Sequence, residues 1–556
     1  MRRSAAIIAT VGVWCWCATG RAAPPDVKFL FPAGAQAGTT VDVEASGSLK
    51  PWPVKAWVSG EGVTFEPSKK EGAFTATVAA DVAPDVRWVR FYNDEGSSPP
   101  RAFVIGSVPE IVETETNDLT GDKAGILERP TVVNGKLAKA GDSDAFQVRI
   151  PPGRTLVASI ESHGTFGSPV DCVLQLATTG GFIVAQNHDE RGLDPCLVFT
   201  NSNSTKRSAN DDVYLLRVFG IAADPNTSIR YFGAEAGIYR LTLGCGPTID
   251  HAFPPVVEAG KPANVKLEGW NVSSDQASAK VSVSSGEGEV SALRLPSTTS
   301  SSPDAAVGRA FVTGVDVPTL VEQEPNSLER PQAIVPPVVV NGRIDQSGDA
   351  DAFSIRGKKG DSLRICVVSK RLGLPVDPLL RILKPDGSEV VRFDDAGRGD
   401  PDIDTVWRVP EDGEYLLLAQ DLFGAASVRH VYALDVRPVG SDFALSIAMG
   451  ELSGAAGKPI DVTVDVARPA GMSGDIELRI EGLPKDATGT TGVSTGKGDA
   501  AKKVVLKPVL KGPFSGPIRI VGTLKDSKVS RTVRIATPPA FGLPPPVDVW
   551  LTVKAK

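Results

Sequence analysis

Aromatic side chains make up only 6% of the chain, and there are just three methionines and four histidines in 556 residues. His163, His188, His251 and His430 are scattered, without the spacing that a metal site or a proton relay requires. No HExxH, GxSxG or phosphate-cradling glycine loop occurs, so the common hydrolase and nucleotide-binding signatures are missing. No CxxC pair is present, which argues against zinc. Basic clusters are absent too, and a formal charge of −7 makes nucleic acid and anionic lipid poor partners. After the N-terminus no long apolar run recurs at 3.6-residue spacing, and none is apolar enough to cross a bilayer as a helix.

What the chain has in quantity is glycine (56), proline (44) and runs that alternate apolar with polar residues. That mixture predicts many short strands joined by turns. Arg2 and Arg3, an apolar run from Ala5 to Ala18 and small residues up to Ala23 have the order of a secretory signal peptide, placed at 1–23. Trp14 and Trp16 beside Cys15 and Cys17 disfavour a lipoprotein site. The mature chain is therefore expected to be exported, to the periplasm, the cell surface or the medium, without membrane insertion. Loss of Arg2, Arg3 and Arg21 takes the formal charge to −10, a balance that suits cations. Of the four remaining cysteines, Cys172 and Cys196 flank a predicted hairpin, and a disulfide between them is geometrically reasonable in an exported protein. Cys366, in the apolar run LRICVV, is expected as a buried free thiol.

The chain is organised around a duplicated stretch. RAFVIGSVPEIVETETND (Arg101 to Asp118) returns as RAFVTGVDVPTLVEQEPNS (Arg309 to Ser327). Each copy begins with a strand-like run and passes through a proline into an acidic, alternating segment, which marks a seam between domains. Beyond the seams the copies run in parallel: VVNGKLAKAGDSDAFQVRI with VVNGRIDQSGDADAFSIRG, and DDVYLLRVFG with DGEYLLLAQD. The predicted class is all-β, with tandem β-sandwiches arranged as beads on a string. An immunoglobulin-like sandwich occupies 24–108, a jelly-roll-like repeat unit 109–247, a second immunoglobulin-like sandwich 248–316, a second repeat unit 317–438, and a last immunoglobulin-like sandwich 439–556. Phe146 and Phe353, Tyr214 and Tyr415, and Tyr239 and Tyr432 fall at matching places and read as core residues.

The repeat unit resembles the bacterial pre-peptidase C-terminal (PPC) domain family. The resemblance rests on the acidic lead-in (Glu113, Glu115, Asn117, Asp118; Glu322, Glu324, Asn326) and on Asn134-Gly135 and Asn341-Gly342. Gly-Asp-x-Asp-x-Phe (Gly141 to Phe146, Gly348 to Phe353) and a late Tyr-Leu-Leu strand complete it. It covers roughly half of the mature chain. It implies a non-catalytic β-sandwich of the kind appended to secreted proteases, related to the collagen-binding domains of clostridial collagenases, whose acidic segment binds calcium. The residues fit that implication. In an extended segment Glu113, Glu115 and Asn117 share a face, as do Glu322, Glu324 and Asn326. Asp142 and Asp144, or Asp349 and Asp351, lie in the following turn and can close on them. Carboxylates with an amide carbonyl supply the hard oxygens Ca2+ requires. The alternative is a solvated acidic linker with turn-capping aspartates. Ser327 in place of Asp118 leaves the second site one carboxylate fewer.

Other motifs are explained by the duplication. Gly360-Asp361-Ser362-Leu363 spells a lipase signature, but its counterpart is Gly153-Arg154-Thr155-Leu156, a turn without the serine. Arg398-Gly399-Asp400 matches Arg191-Gly192-Leu193-Asp194 in the first copy. The expectation is an exported, non-enzymatic binding or scaffold protein, its repeat units held by Ca2+, facing a polysaccharide or a fibrous or matrix protein. Association with a secreted peptidase or hydrolase system is the alternative.

Overall fold

The computed structural model describes residues 23–555 apart from 115–124, 203–211, 225–230, 273–277, 284–289, 293–305, 398–399, 441, 469–471, 528 and 536–545. The signal peptide, Glu115, Asn117 and Asp118 thus lie outside the described residues. The protein is all-β. Among the described residues the only α-helix is the single turn His163–Phe166, accompanied by 3-10 turns at Lys370–Leu372 and Asp499–Ala501.

Alternation of apolar and polar residues produces paired sheets that bury one face each. In the first sandwich Phe65, Phe74, Phe91 and Phe103 meet between two sheets with ring centroids 4.7–6.4 Å apart. The two repeat units share one strand order. In the first, Glu110–Val112, Thr131–Lys136, Ile238–Gly244, Thr155–Glu161 and Cys196–Thr200 form one sheet, packed on Ser143–Arg149, Val213–Ala222, Val170–Thr178 and Ile183–Asn187. In the second, Thr319–Val321, Val338–Arg343, Val431–Pro438, Ser362–Val368 and Ile403–Arg408 repeat the first sheet. The aromatic pairs singled out by the duplication are all buried.

The repeated stretch runs directly from one sandwich into the next. Arg101–Gly106 closes the first sandwich, and three residues later Glu110–Val112 opens the repeat unit. That opening strand pairs in parallel with Thr131–Lys136, and Thr319–Val321 does the same with Val338–Arg343. Each repeat unit thus has one parallel pair where the chain enters it. A strand delivered from the preceding domain enters in the direction of its neighbour, and in the second unit residues 322–337 make the return crossover.

The disulfide expectation also fails: Cys172, Cys196, Cys245 and Cys366 are all free. Cys172 belongs to the core cluster of the first unit, whereas on the facing sheet it is Leu197 that points into that core. Its neighbour Cys196 therefore faces the opposite side, and the two thiols look into different spaces. Cys366 is buried and free as anticipated.

The two ends of the chain of sandwiches meet. Arg90 of the first sandwich is 1% exposed and ion-pairs with Glu451 of the last. It also donates to the carbonyl of Asp548 (3.2 Å) and that of Ser98 (3.0 Å). Trp550 packs on Tyr92 and Trp57, at centroid distances of 4.6 and 6.1 Å, and Lys554 pairs with Glu95. Arginines span the other boundaries as well. Arg309 binds Glu161, Arg343 binds Glu268, and Arg437 and Arg531 reach Asp316.

One boundary holds a buried histidine between two carboxylates. His251 donates to or accepts from Asp250 (2.9 Å) and Glu268 (3.2 Å), and Arg429 and Arg191 also hold Asp250. Burial pushes the imidazole down, but the hydrogen bonds and charges of Asp250 and Glu268 outweigh it and raise its pKa above the ordinary value. A raised histidine stabilises fully below its unfolded pKa of about 6.5 and ceases to as pH rises through the folded value. Glu268 is held down at about 2, so its share disappears only in strong acid. The melting temperature of His251→Gln should fall furthest below the parent near pH 5–6, with the gap narrowing by about pH 9. A gap independent of pH, followed by calorimetry, would show that folding does not raise the His251 pKa.

Candidate metal centre

The first glutamates of the two acidic lead-ins reach the same place in their units. Glu322 follows the strand Thr319–Val321, and its Oε1 accepts the backbone N–H of Arg343 (2.5 Å). Glu113 follows Glu110–Val112, and its Oε1 accepts that of Lys136 (3.3 Å). From the opposite sheet Asp351 meets Glu322, and Tyr432 donates its hydroxyl proton to Asp351 Oδ2 at 2.6 Å. Asp144 receives Tyr239 at the same 2.6 Å. A tyrosine–aspartate–glutamate arrangement is therefore built twice.

In the second unit Glu322, Glu324 and Asp351 each offer an oxygen, all within 4.8 Å of one another. Asn326 is buried, and its amide NH2 donates to Glu322 Oε2 (3.3 Å). With the amide turned over, its oxygen would face the same space. Burial first, and then the charge of Asp351, raises the Glu322 carboxyl; burial, Asp349 and Glu324 raise Asp351 against the lowering hydrogen bond from Tyr432. These are acids crowded by like charges, and a hard divalent cation would relieve that repulsion. Three carboxylates and an amide fit calcium's oxygen preference, with water completing the shell.

The remaining sequence-derived candidates divide. Asp349 accepts the backbone N–H of Asp345 (3.3 Å), and Asp142 that of Ala138 (2.7 Å), so both close the turn. Asp144 and Glu113 both act on Tyr239, whose pKa is raised by burial first and then by these two carboxylates. The positions of Glu115, Asn117 and Asp118 lie outside the described residues. The tyrosines were legible as core residues, but their hydroxyl bonds were not. The available signal was the Asn-Gly pair. A Cβ on Gly342 would stand 2.3 Å from Tyr432 Cζ and 2.7 Å from Glu322 Oε2, and one on Gly135 would stand 2.2 Å from Tyr239 Cζ. Asn341 faces the preceding sandwich, accepting from Val256 N–H (3.0 Å) and donating to Val256 O (3.1 Å).

A second duplicated element escaped the sequence reading. Asp194 accepts the backbone N–H groups of Ser162, His163 and Gly164, and Asp402 those of Ser369, Lys370 and Arg371. The structural counterpart of Asp194 is thus Asp402, and Asp400 instead pairs with Arg371. Ser362 opens the strand Ser362–Val368, paired opposite Arg408, with its carbonyl accepting from Val439. Its place is that of a sheet residue.

No protein-family model matches the chain, and no curated protein matches it. Among solved structures, native E. coli alpha-2-macroglobulin aligns over 96% of this chain and 40% of its own, at 12% identity and a TM-score of 0.14. The chain thus spans two fifths of that protein's length. A Bacteroides ovatus protein of a mixed-linkage glucan utilization locus, in complex with a mixed-linkage heptasaccharide, aligns over 73% of this chain and 72% of its own (9% identity, TM-score 0.13). The M60 catalytic domain of Clostridium perfringens ZmpB with its two CBM51 domains aligns over 72% and 40% (12% identity, TM-score 0.17). Likeness at this level carries no functional inference.

Proposed function

We propose that this protein is an exported, non-catalytic binding scaffold that presents two PPC-like units, each stabilised by calcium, to a polymeric extracellular or cell-surface target. The observation that carries the reading is the glutamate–aspartate–tyrosine arrangement found in both units; in the second, burial and then the charge of Asp351 raise the Glu322 carboxyl, and burial with the charges of Asp349 and Glu324 raises Asp351. Glu322, Glu324 and Asp351, with Asn326, would hold the ion in the second unit; Glu113 and Asp144 are the corresponding donors of the first. The bound cation would fix the lead-in strand against the opposite sheet and so rigidify the seam between domains. Two similar units on one closed chain raise the effective concentration for a repetitive ligand such as a polysaccharide or a fibrous protein.

Calorimetric melting with added calcium tests the metal. At about a hundredfold excess over Kd the ion should stabilise the second unit by about 2.7 kcal/mol. Asp351→Asn should abolish that gain while raising the melting temperature of the calcium-free protein, since it removes one of three crowded carboxylates. An unchanged transition with millimolar calcium would end the assignment. Retention on insoluble polysaccharide or matrix protein, reversed by a chelator, tests the scaffold role. Turnover of peptide or ester substrates would favour the hydrolase-associated alternative.

A further inference from the structure

Where the first repeat unit meets the second immunoglobulin-like sandwich there is a pocket of about 250 Å3. It is a little smaller than the roughly 300–1,000 Å3 of drug-sized ligand sites and suits a single sugar ring with its hydroxyls. Its walls follow from the pleat. Leu197 points into the core of the unit, so Cys196 and Val198 on either side of it face outward, into the pocket. Gln186, Asn187 and Glu190 form a second wall, from the edge strand Ile183–Asn187 and the turn after it. Trp270, the last residue of Pro262–Trp270, supplies the third wall from the neighbouring sandwich and is half-buried.

The polar groups of the pocket are only partly used. Gln186 accepts the amide of Gln175 on its oxygen (3.0 Å), and its own NH2 donates to none of the described residues. Asn187 accepts the Cys196 N–H (2.9 Å), while its NH2 reaches Glu190 Oε2 only at 3.5 Å. Glu190 is ion-paired through its other oxygen with Arg429, so its charge is met and Oε2 keeps room for another donor. Arg429 comes from the second repeat unit, also holds Asp250, and places its guanidinium carbon 5.8 Å from the Trp270 ring centroid. Three domains thus fix the carboxylate and the indole in one arrangement before any ligand arrives.

One flat indole, two amides and a charge-balanced carboxylate are the complement of a neutral sugar. A pyranose with equatorial hydroxyls has a face of C–H groups for the indole and a rim of hydroxyls, each able to donate and accept. One hydroxyl can donate to Glu190 Oε2 while its neighbour accepts from Asn187 or Gln186. The described lining residues include no cation to hold an anionic ring. An extended peptide fits less well. The Cys196 N–H, through which a strand would add to the free edge of that sheet, is already taken by Asn187.

We propose that this pocket binds one ring of a neutral, equatorially hydroxylated polysaccharide, laid against Trp270 and hydrogen-bonded to Gln186, Asn187 and Glu190. The inference rests on the scaffold reading and names the polymer class for it.

The test titrates the full mature chain with cellopentaose and xylopentaose, followed by saturation-transfer NMR and tryptophan fluorescence. Saturable binding is expected, insensitive to salt because no charge is paired. Trp270→Ala should weaken it at least about tenfold. Trp270 also packs against Arg429, so Gln186→Ala, at an exposed position, serves as the second variant. It should weaken binding about fivefold with an unchanged melting temperature. No saturation by either sugar at millimolar concentration, affinity unchanged in both variants, or capture of a collagen-model peptide by Trp270 in place of the sugars would each overturn the proposal. If insoluble polymers are still retained when the sugars fail to bind, only the pocket falls. If the sugars are recovered shortened, the scaffold reading falls instead.

Discussion

Arg90→Ala is expected to destabilise the protein by about 3–5 kcal/mol and to part its first and last sandwiches. The guanidinium is 1% exposed and serves three groups at once: the Glu451 carboxylate and the carbonyls of Ser98 and Asp548. Burial lowers its pKa, and the charge of Glu451 works against that shift, so the interface depends on this pair to keep a buried cation. Alanine leaves two carbonyls short of a donor, each at about 1–3 kcal/mol, together with a void the size of an arginine. Glu451, at 34% side-chain exposure, recovers water and adds little. Arg90→Met fills the void without restoring the hydrogen bonds and should recover a minor part of the loss. Small-angle scattering supplies the second readout, since parting the ends enlarges the radius of gyration. A radius unchanged in Arg90→Ala would mean that Trp550, stacked on Tyr92 and Trp57, closes the chain without the arginine.

Gly342→Ala should cost a comparable amount, about 3–5 kcal/mol, for a different reason. The new methyl would overlap the Tyr432 ring and Glu322 Oε2, both closer than any real Cβ contact. Overpacking of this kind costs roughly 1–3 kcal/mol. Displacing Tyr432 also breaks its 2.6 Å bond to Asp351, and bonds to charged groups contribute about 1.5–3 kcal/mol. The effect should be strongly non-additive. In a Tyr432→Ala background the new methyl meets only the movable carboxylate end of Glu322 and should cost under about 1 kcal/mol. Equal costs in the two backgrounds, measured by the melting of that unit, would place the strain elsewhere. Gly135→Ala is expected to act likewise on Tyr239, whose Cζ would lie 2.2 Å away.

Much of this architecture was legible before any coordinates. The alternation in runs such as IELRIEG and the glycine- and proline-rich turns are local signals. They depend on neighbours two residues away, and the strands follow them. The duplicated RAFV stretch located both seams, because a repeat preserves whatever fixes a domain's first and last strands. The acidic lead-in and the Asp-x-Asp turn supplied Glu322, Glu324 and Asp351, although the sequence treated Asp349 as their equal. Only the pleat decided between them: Asp351 lies within the strand Ala350–Gly357 and is buried, whereas Asp349 stands in the turn before it.

The amino-acid order alone therefore determined the all-β class and the acidic character of the pocket, both consequences of short-range preference. Tertiary structure decided what joins distant parts: Tyr432 onto Asp351, 81 positions away, and Arg90 onto Glu451, 361 positions away. It also decided that Cys172 and Cys196 face different spaces and that each seam strand pairs in parallel. The reason is physical. A buried charge or hydroxyl selects its partner by which surfaces exclude water from it, and those surfaces exist only once the sheets have packed.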